Sequence, residues 1–210
     1  MEIKNLTKKY STKTVFEDFN CYFDKGKITA IMGESGVGKT TLLNVIAGLT
    51  DFIGEINNIG KISYIFQNDR LVPNLTVEEN LKIINIGIDV EEELQKVDMV
   101  NAINMFPSEL SAGMSRRVAI LRAINFKSQT LLMDEPFINL DYYLKYKLMD
   151  TIKKYHEDTN NTILFVTHDI GEAVYLSDRI IIIDKNQKIT EINNINKDTE
   201  KEILNVFLKK

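Results

Sequence analysis

Gly33-Glu34-Ser35-Gly36-Val37-Gly38-Lys39-Thr40-Thr41 is the stretch on which the reading of this 210-residue sequence turns. It fits G-x-x-x-x-G-K-[ST], with one glycine and one threonine beyond what the pattern demands. The apolar run Ile28-Thr29-Ala30-Ile31-Met32 before it reads as a buried strand, and residues 42–49 after it as an apolar helix. Strand, glycine loop and helix in that order make a phosphate site. Glycine lets the backbone curl so that successive N–H groups face anionic oxygens, and the helix start adds the positive end of its dipole. In such a loop Lys39 reaches the β- and γ-phosphates, Thr40 offers its hydroxyl to Mg²⁺, and Thr41 bonds the α-phosphate. The expected ligand is a nucleoside triphosphate, cradled from Gly33 to Thr41.

Two later strands point at the same chemistry. Thr130-Leu131-Leu132-Met133-Asp134-Glu135-Pro136 reads as a buried strand ending in two acids. A carboxylate at a strand's carboxyl end lies where α/β sheets bind ligands. Asp134 is therefore placed to hold Mg²⁺, through water in the usual way. Glu135 points elsewhere and is suited to orient or deprotonate an attacking water. The apolar run 162–167 ends at His168-Asp169, which gives His168 the same placement and lets it donate to a γ-phosphate. By itself a histidine at that spot is more often structural. Tyr10, between the first two predicted strands, is either a stacking partner for a purine ring or a packed surface tyrosine.

Composition narrows the setting. Hydrophobic residues make up 44% of the chain, enough for a proper core, and the net charge of -4 offers no electrostatic case for nucleic acid. The longest aliphatic run, Ile180 to Ile183, is far too short to span a membrane, and the start shows no basic-then-apolar leader. One cysteine, Cys21, forms no internal disulfide and suits a reduced cytosolic setting. Arginine is scarce, at five against 21 lysines, yet Arg116, Arg117 and Arg122 fall close together.

The rest of the chain sorts into two kinds of text. Short strands are predicted over 2–6, 14–16, 20–23, 55–56 and 61–66, the last ending at Gln67, with further strands at 179–184 and 187–192. Between 77 and 106 the pattern is helical with polar breaks. Thr76 and Glu79 form a capping box at its start, and a second helix start falls near Asp89. Ser111 then caps a helix with Met114, Val118, Leu121 and Ile124 on one face. Taken alone, Ser111-Ala112-Gly113 is an ordinary capped helix start. Helices are also predicted over 142–156, 169–176 and 198–208.

The order of these features resembles the nucleotide-binding subunit of ATP-binding cassette (ABC) transporters over nearly the whole chain. Gly33–Thr41 matches that family's Walker A loop, Gln67 its Q-loop, and Leu110-Ser111-Ala112-Gly113-Met114 its signature. Leu131–Glu135 matches Walker B with the catalytic glutamate, Asn139-Leu140-Asp141 the D-loop, and His168 the switch histidine; Tyr10 falls where the adenine-stacking aromatic lies. One departure stands out: Ala112 replaces the first signature glycine, and its methyl group restricts φ > 0.

The resemblance implies an α/β P-loop NTPase of ABC type, with a mostly parallel core sheet, an N-terminal antiparallel β lobe and an inserted helical lobe. It would be a single domain over 1–210, the core at about 1–67 and 126–210 and the insertion at about 68–125. ATP and Mg²⁺ are the implied ligands. Lys39, Gln67, Glu135 and His168 take the catalytic roles; Thr40, Gln67 and Asp134 surround the metal. Ser111 and Gly113 serve nucleotide bound by a second copy in a head-to-tail dimer, and Asp141 of the D-loop match is a further nucleotide-binding residue. The other implied partners are transmembrane permease subunits and, for an importer, an extracytoplasmic substrate-binding protein. The site of action would be the cytoplasmic face of the membrane. Asp69-Arg70-Leu71-Val72-Pro73 and Met114 with Arg117 look like nitrate/sulfonate/taurine-type importers. Alternatives are an exporter or lipoprotein-release ATPase, or a soluble ABC ATPase acting on ribosomes or DNA.

Overall fold

The structure, a computed structural model, describes residues 1–11 and 13–208. Among the described residues nine strands form two sheets. β5 (Ile62–Ile65), β6 (Thr130–Asp134), β7 (Thr162–Val166), β3 (Ile28–Gly33), β8 (Arg179–Ile183) and β9 (Ile189–Ile192) lie side by side in that order. All are parallel except β9, which runs antiparallel to β8. The smaller antiparallel sheet is ordered β2 (Lys13–Tyr22), β1 (Glu2–Tyr10), β4 (Ile53–Asn57).

The continuous apolar runs have a direct cause: β6, β7 and β8 are buried at every residue, because both faces of the large sheet are covered. Alternate side chains serve two separate cores. Ala30, Met32, Leu131, Met133, Ile163, Phe165, Ile180 and Ile182 pack with the helices on one face. Ile31, Leu132, Leu164, Val166, Ile181 and Ile183 face the small sheet and α1 (Lys39–Ile46), meeting Phe16, Phe23, Leu42, Leu43 and Ile46. Cys21 is buried in this second core, and burial pushes its thiol up to about 12.

Two expectations need correcting. Tyr10 is not in a loop: it is the last residue of β1 and pairs with Lys13 of β2. β1 runs on to Tyr10, and the strands predicted at 14–16 and 20–23 are one strand, β2, because register shifts and positive φ at Asn5 and Asp18 break the alternation a regular strand would show. The segment 77–106 is also less helical than its text. It holds only α2 (Val77–Lys82) and α3 (Val90–Gln95), then a short 3₁₀ turn at Val100–Ala102. α2 begins with the expected capping box, Thr76 Oγ1 accepting from Glu79 N and Glu79 Oε2 from Thr76 N. The remaining helices are α4 (Ala112–Asn125), α5 (Tyr142–Thr159), α6 (Ile170–Leu176) and α7 (Thr199–Leu208). Among the described residues no helix is long and apolar enough to cross a membrane.

Candidate active site

Four neighbouring strands deliver the site. Ile31 of β3 and Asp134 of β6 both pair with Val166 of β7, and Met133 pairs with Ile65 of β5, so the carboxyl ends lie level. What leaves those ends is Gln67, the Asp134-Glu135 pair, His168 and the Gly33 loop. They surround a cleft of about 660 Å³ lined by Gly33, Ser35, Gly36, Gly38, Lys39, Thr40, Thr41, Gln67, Glu135 and His168. Tyr10, Lys13 and Val15 close its outer side.

The glycines are needed where the chain is tightest. Gly33 has φ 151°, and a Cβ there would sit 2.3 Å from the Ile183 carbonyl oxygen. Gly38, the N-cap of α1 at φ 107°, packs so closely on Val15 and Phe16 that a Cβ would lie 2.7 Å from one and 2.8 Å from the other. Lys39 Nζ donates to the carbonyl oxygens of Gly33 and Glu34 at 2.8 and 2.9 Å, which holds it across the mouth of its own loop. Val37 differs from its neighbours, since its side chain is buried in the core and only its backbone is left to face a ligand. The Glu34 carboxylate pairs with Lys185 at 2.5 Å.

The charged groups are tuned by their surroundings. Burial raises the Asp134 carboxyl above the usual range, opposed by the Thr40 hydroxyl, which donates to Asp134 Oδ1 at 3.2 Å. Burial lowers Lys39, opposed by Glu135 and Asp134. A buried carboxylate beside a hydroxyl is a hard-oxygen pair that suits Mg²⁺, which takes few protein ligands and fills its shell with water and phosphate. Among the described residues no cluster of three or more His, Cys, Asp or Glu able to hold a metal occurs.

Glu135 Oε1 lies 3.5 Å from His168 Nδ1. The Glu135 backbone is left-handed at φ 46°, a conformation non-glycine residues seldom adopt, and its N–H donates to the Val166 carbonyl at 3.0 Å. That bond anchors the bend at which the chain leaves β6. His168 is anchored from both sides. Thr167 Oγ1 donates to the buried Glu172 carboxylate at 2.5 Å and accepts from Asp169 N at 3.0 Å. Lys145 of α5 bridges Asp169 and Glu172 at 2.9 and 2.7 Å. Burial acts to raise the Asp169 carboxyl, but the Lys145 ammonium together with the Glu172 and Gly171 backbone N–H groups holds it below the usual range.

Glu34, Val37 and Asp134 are next to the cleft without lining it, and three further predicted residues belong to other parts of the chain. Ser111 caps α4, its Oγ accepting from Met114 N at 3.3 Å, and Gly113 sits in the first turn beside Leu140. Asp141 caps α5 by accepting from Leu144 N at 3.0 Å. The alanine in the signature is accommodated: Ala112 is the first helical residue of α4 and is not among the residues with positive φ. Lys13, Val15 and Lys145 escaped the sequence reading. Lys13 and Val15 had a signal in their hairpin position beside Tyr10; Lys145 had none beyond lying one helical turn after Asp141. Tyr10 is partly exposed, and the Lys8 ammonium sits 4.4 Å from its ring centroid.

A family profile described as ABC transporter matches residues 16–138. The chain is 39% identical over 189 residues to the aliphatic sulfonates import ATP-binding protein SsuB 2 of Pseudomonas syringae pv. tomato, covering 87% of this chain and 82% of that one. It is 42% identical over 195 residues to the aliphatic sulfonates import ATP-binding protein SsuB of Bacillus cereus, covering 86% and 78%. Among solved structures, the dimeric post-hydrolysis state of the ATP-binding cassette MJ0796 bound to ADP and Pi superposes with a TM-score of 0.82. The identity is 30%, over 91% of this chain and 97% of that one.

Proposed function

The chain belongs to the ABC transporter family, and from that premise we propose that it is the ATP-hydrolysing subunit of a membrane importer, working as a head-to-tail pair. One observation carries the proposal: the cleft gathers the glycine loop with Lys39, Thr40, Gln67, Glu135 and His168, while Ser111, Gly113 and Asp141 stand outside it. Residues that cannot serve their own cleft are available to a second copy's. Import is favoured by the relatives, both of which are named as import ATP-binding proteins. The permease chains would be separate, and docking to them would hold this subunit at the cytoplasmic face of a membrane, with an extracytoplasmic binding protein supplying cargo.

The chemistry follows from the groups in place. The Gly33–Thr41 backbone and Lys39 bind the phosphates, with Tyr10 against the base. Thr40 and Asp134, with Gln67 nearby, would hold Mg²⁺, which when bound neutralises charge on the phosphate oxygens. Glu135 accepts a proton from a water aimed at the γ-phosphorus. The water oxygen bonds to phosphorus as the bond to the β–γ bridging oxygen breaks, leaving ADP and phosphate. His168 fixes the Glu135 carboxylate and donates toward the γ-phosphate. Such a transition state asks mainly for positioning and charge neutralisation. Closure around ATP and reopening after hydrolysis would move the permease, because only the closed pair makes the contacts from Ser111.

The test is ATPase activity per chain measured against chain concentration. The expected rate per chain rises with concentration as pairs form. A rate independent of concentration, with the chain monomeric throughout, would remove the shared site.

A further inference from the structure

We propose that Arg116 is a positioning residue that locks the Gln67 loop to the helix carrying Ser111, so that the two move as one body. The inference rests on the reading of Gln67 and Ser111 given above. Arg116 lies in α4 and is only 3% exposed. Its Nη1 donates to the Phe66 carbonyl at 2.7 Å and its Nη2 to the Gln67 carbonyl. Nε lies 3.1 Å from Asp69 Oδ1, close enough for an ion pair though not aligned as a hydrogen bond. A second guanidinium of the same helix continues the grip, Arg122 donating to the Arg70 carbonyl at 2.8 Å and the Asp69 carbonyl at 3.3 Å.

The targets are main-chain carbonyls. A side chain held by another side chain can turn aside, whereas a guanidinium forked onto consecutive carbonyls fixes the path of the backbone itself. Burial makes the arrangement stiff. The Asp69 carboxyl is pushed above its usual range by burial and drawn back by Arg116 and Arg122. A charge of that kind cannot be left alone in the interior, so the loop does not slide off the helix without stranding one. Gln67 lines the cleft, and Ser111 starts the helix that holds Arg116. Whatever shifts Gln67 on nucleotide binding therefore shifts Ser111, the group offered to the other copy. Lysine at this position would keep the charge and lose the fork.

Asp69→Asn/Arg116→Met removes the grip without stranding a buried charge, and Asp69→Asn alone is its control. ATP turnover of the full-length chain is measured with the number of nucleotide-binding sites per chain, alone and combined with Gln67→Ala. We expect the double variant to bind one nucleotide per chain with KM within about twofold of the parent and to lose about tenfold in kcat, the size of a typical coupling between sites. Asp69→Asn alone keeps the guanidinium fork on the Phe66 and Gln67 carbonyls, so it should hold kcat within about twofold of the parent while lowering Tm, because it leaves the Arg116 charge without its carboxylate. Added to Gln67→Ala, the double variant should cost nothing more, because Arg116 acts through that loop. Parental kcat in the double variant, or losses that multiply with Gln67→Ala, would overturn the inference. A parent chain with no ATPase activity would instead overturn the proposed function.

Discussion

Around the Gly33 loop, four strand ends lie level and bring a lysine, a hydroxyl, two acids and a histidine into one cleft. On the Ser111 face the same chain offers a capped helix start and a capped loop, with the Ser111 oxygen spent on Met114 N and the Asp141 carboxylate on Leu144 N. The first region is assembled from one copy's own strand ends; the second holds its side chains in capping bonds of its own. Sheet architecture explains the asymmetry. Parallel strands with equal register place their exits side by side and require close backbone approach there, whereas Ser111 and Asp141 each sit at a helix start and are taken up by their own caps.

The largest expected effect tests the cleft. Glu135→Gln should lower phosphate release by about 10²- to 10⁴-fold, the usual worth of a general base, with nucleotide still bound. Size-exclusion chromatography with ATP should then show pairs accumulating, and unchanged turnover would remove Glu135 from its role. The other side is tested by mixing. Lys39→Ala chains and Ser111→Arg chains should each lose about 10²-fold or more, as loss of a transition-state donor does. Mixed, they should recover activity, since one pairing restores an intact cleft facing an intact Ser111. No recovery would mean that each chain uses its own serine.

Smaller effects sharpen the contrast. Tyr10→Ala should raise KM for ATP about tenfold with kcat preserved, in line with a stacking contact of about 1–3 kcal/mol. A selective kcat loss would tie Tyr10 to the chemistry instead. Lys145→Met should lower Tm by about 3 °C at neutral pH, the size of a 1 kcal/mol change in a chain this long. The sign with pH is fixed by Asp169, whose folded pKa is depressed below its ordinary 3.8. Its stabilisation is present above that ordinary value and lost as pH falls through the depressed one. The Tm gap between parent and variant should therefore close on acidification, which scanning calorimetry reads directly.

Much of this was legible in the sequence, and for identifiable reasons. Strands buried on both faces leave no alternative to continuous apolar text, so β3, β6, β7 and β8 stood out, and the glycine loop followed from the first of them. The positive φ values at Asn5 and Asp18 are long-range features of the small sheet that local alternation does not carry, so β1 and β2 were cut short. Between 77 and 106 helix-forming residues outnumber the turns they make, and packing decided where each helix stopped. The arginine cluster was visible as composition, but its meaning depended on which carbonyls lie across the gap. Lys145 carried no signal, because its partners Asp169 and Glu172 come from another helix.

Cys21 has a practical consequence. Sealed beneath the small sheet and with its thiolate disfavoured near neutral pH, it is slow to react with sulfhydryl reagents. Any cysteine introduced on the surface becomes the one fast-reacting handle, so fluorescent or spin reporters can be attached beside Ser111 and Gly33 in an otherwise native background, and the opening and closing of a pair followed in real time.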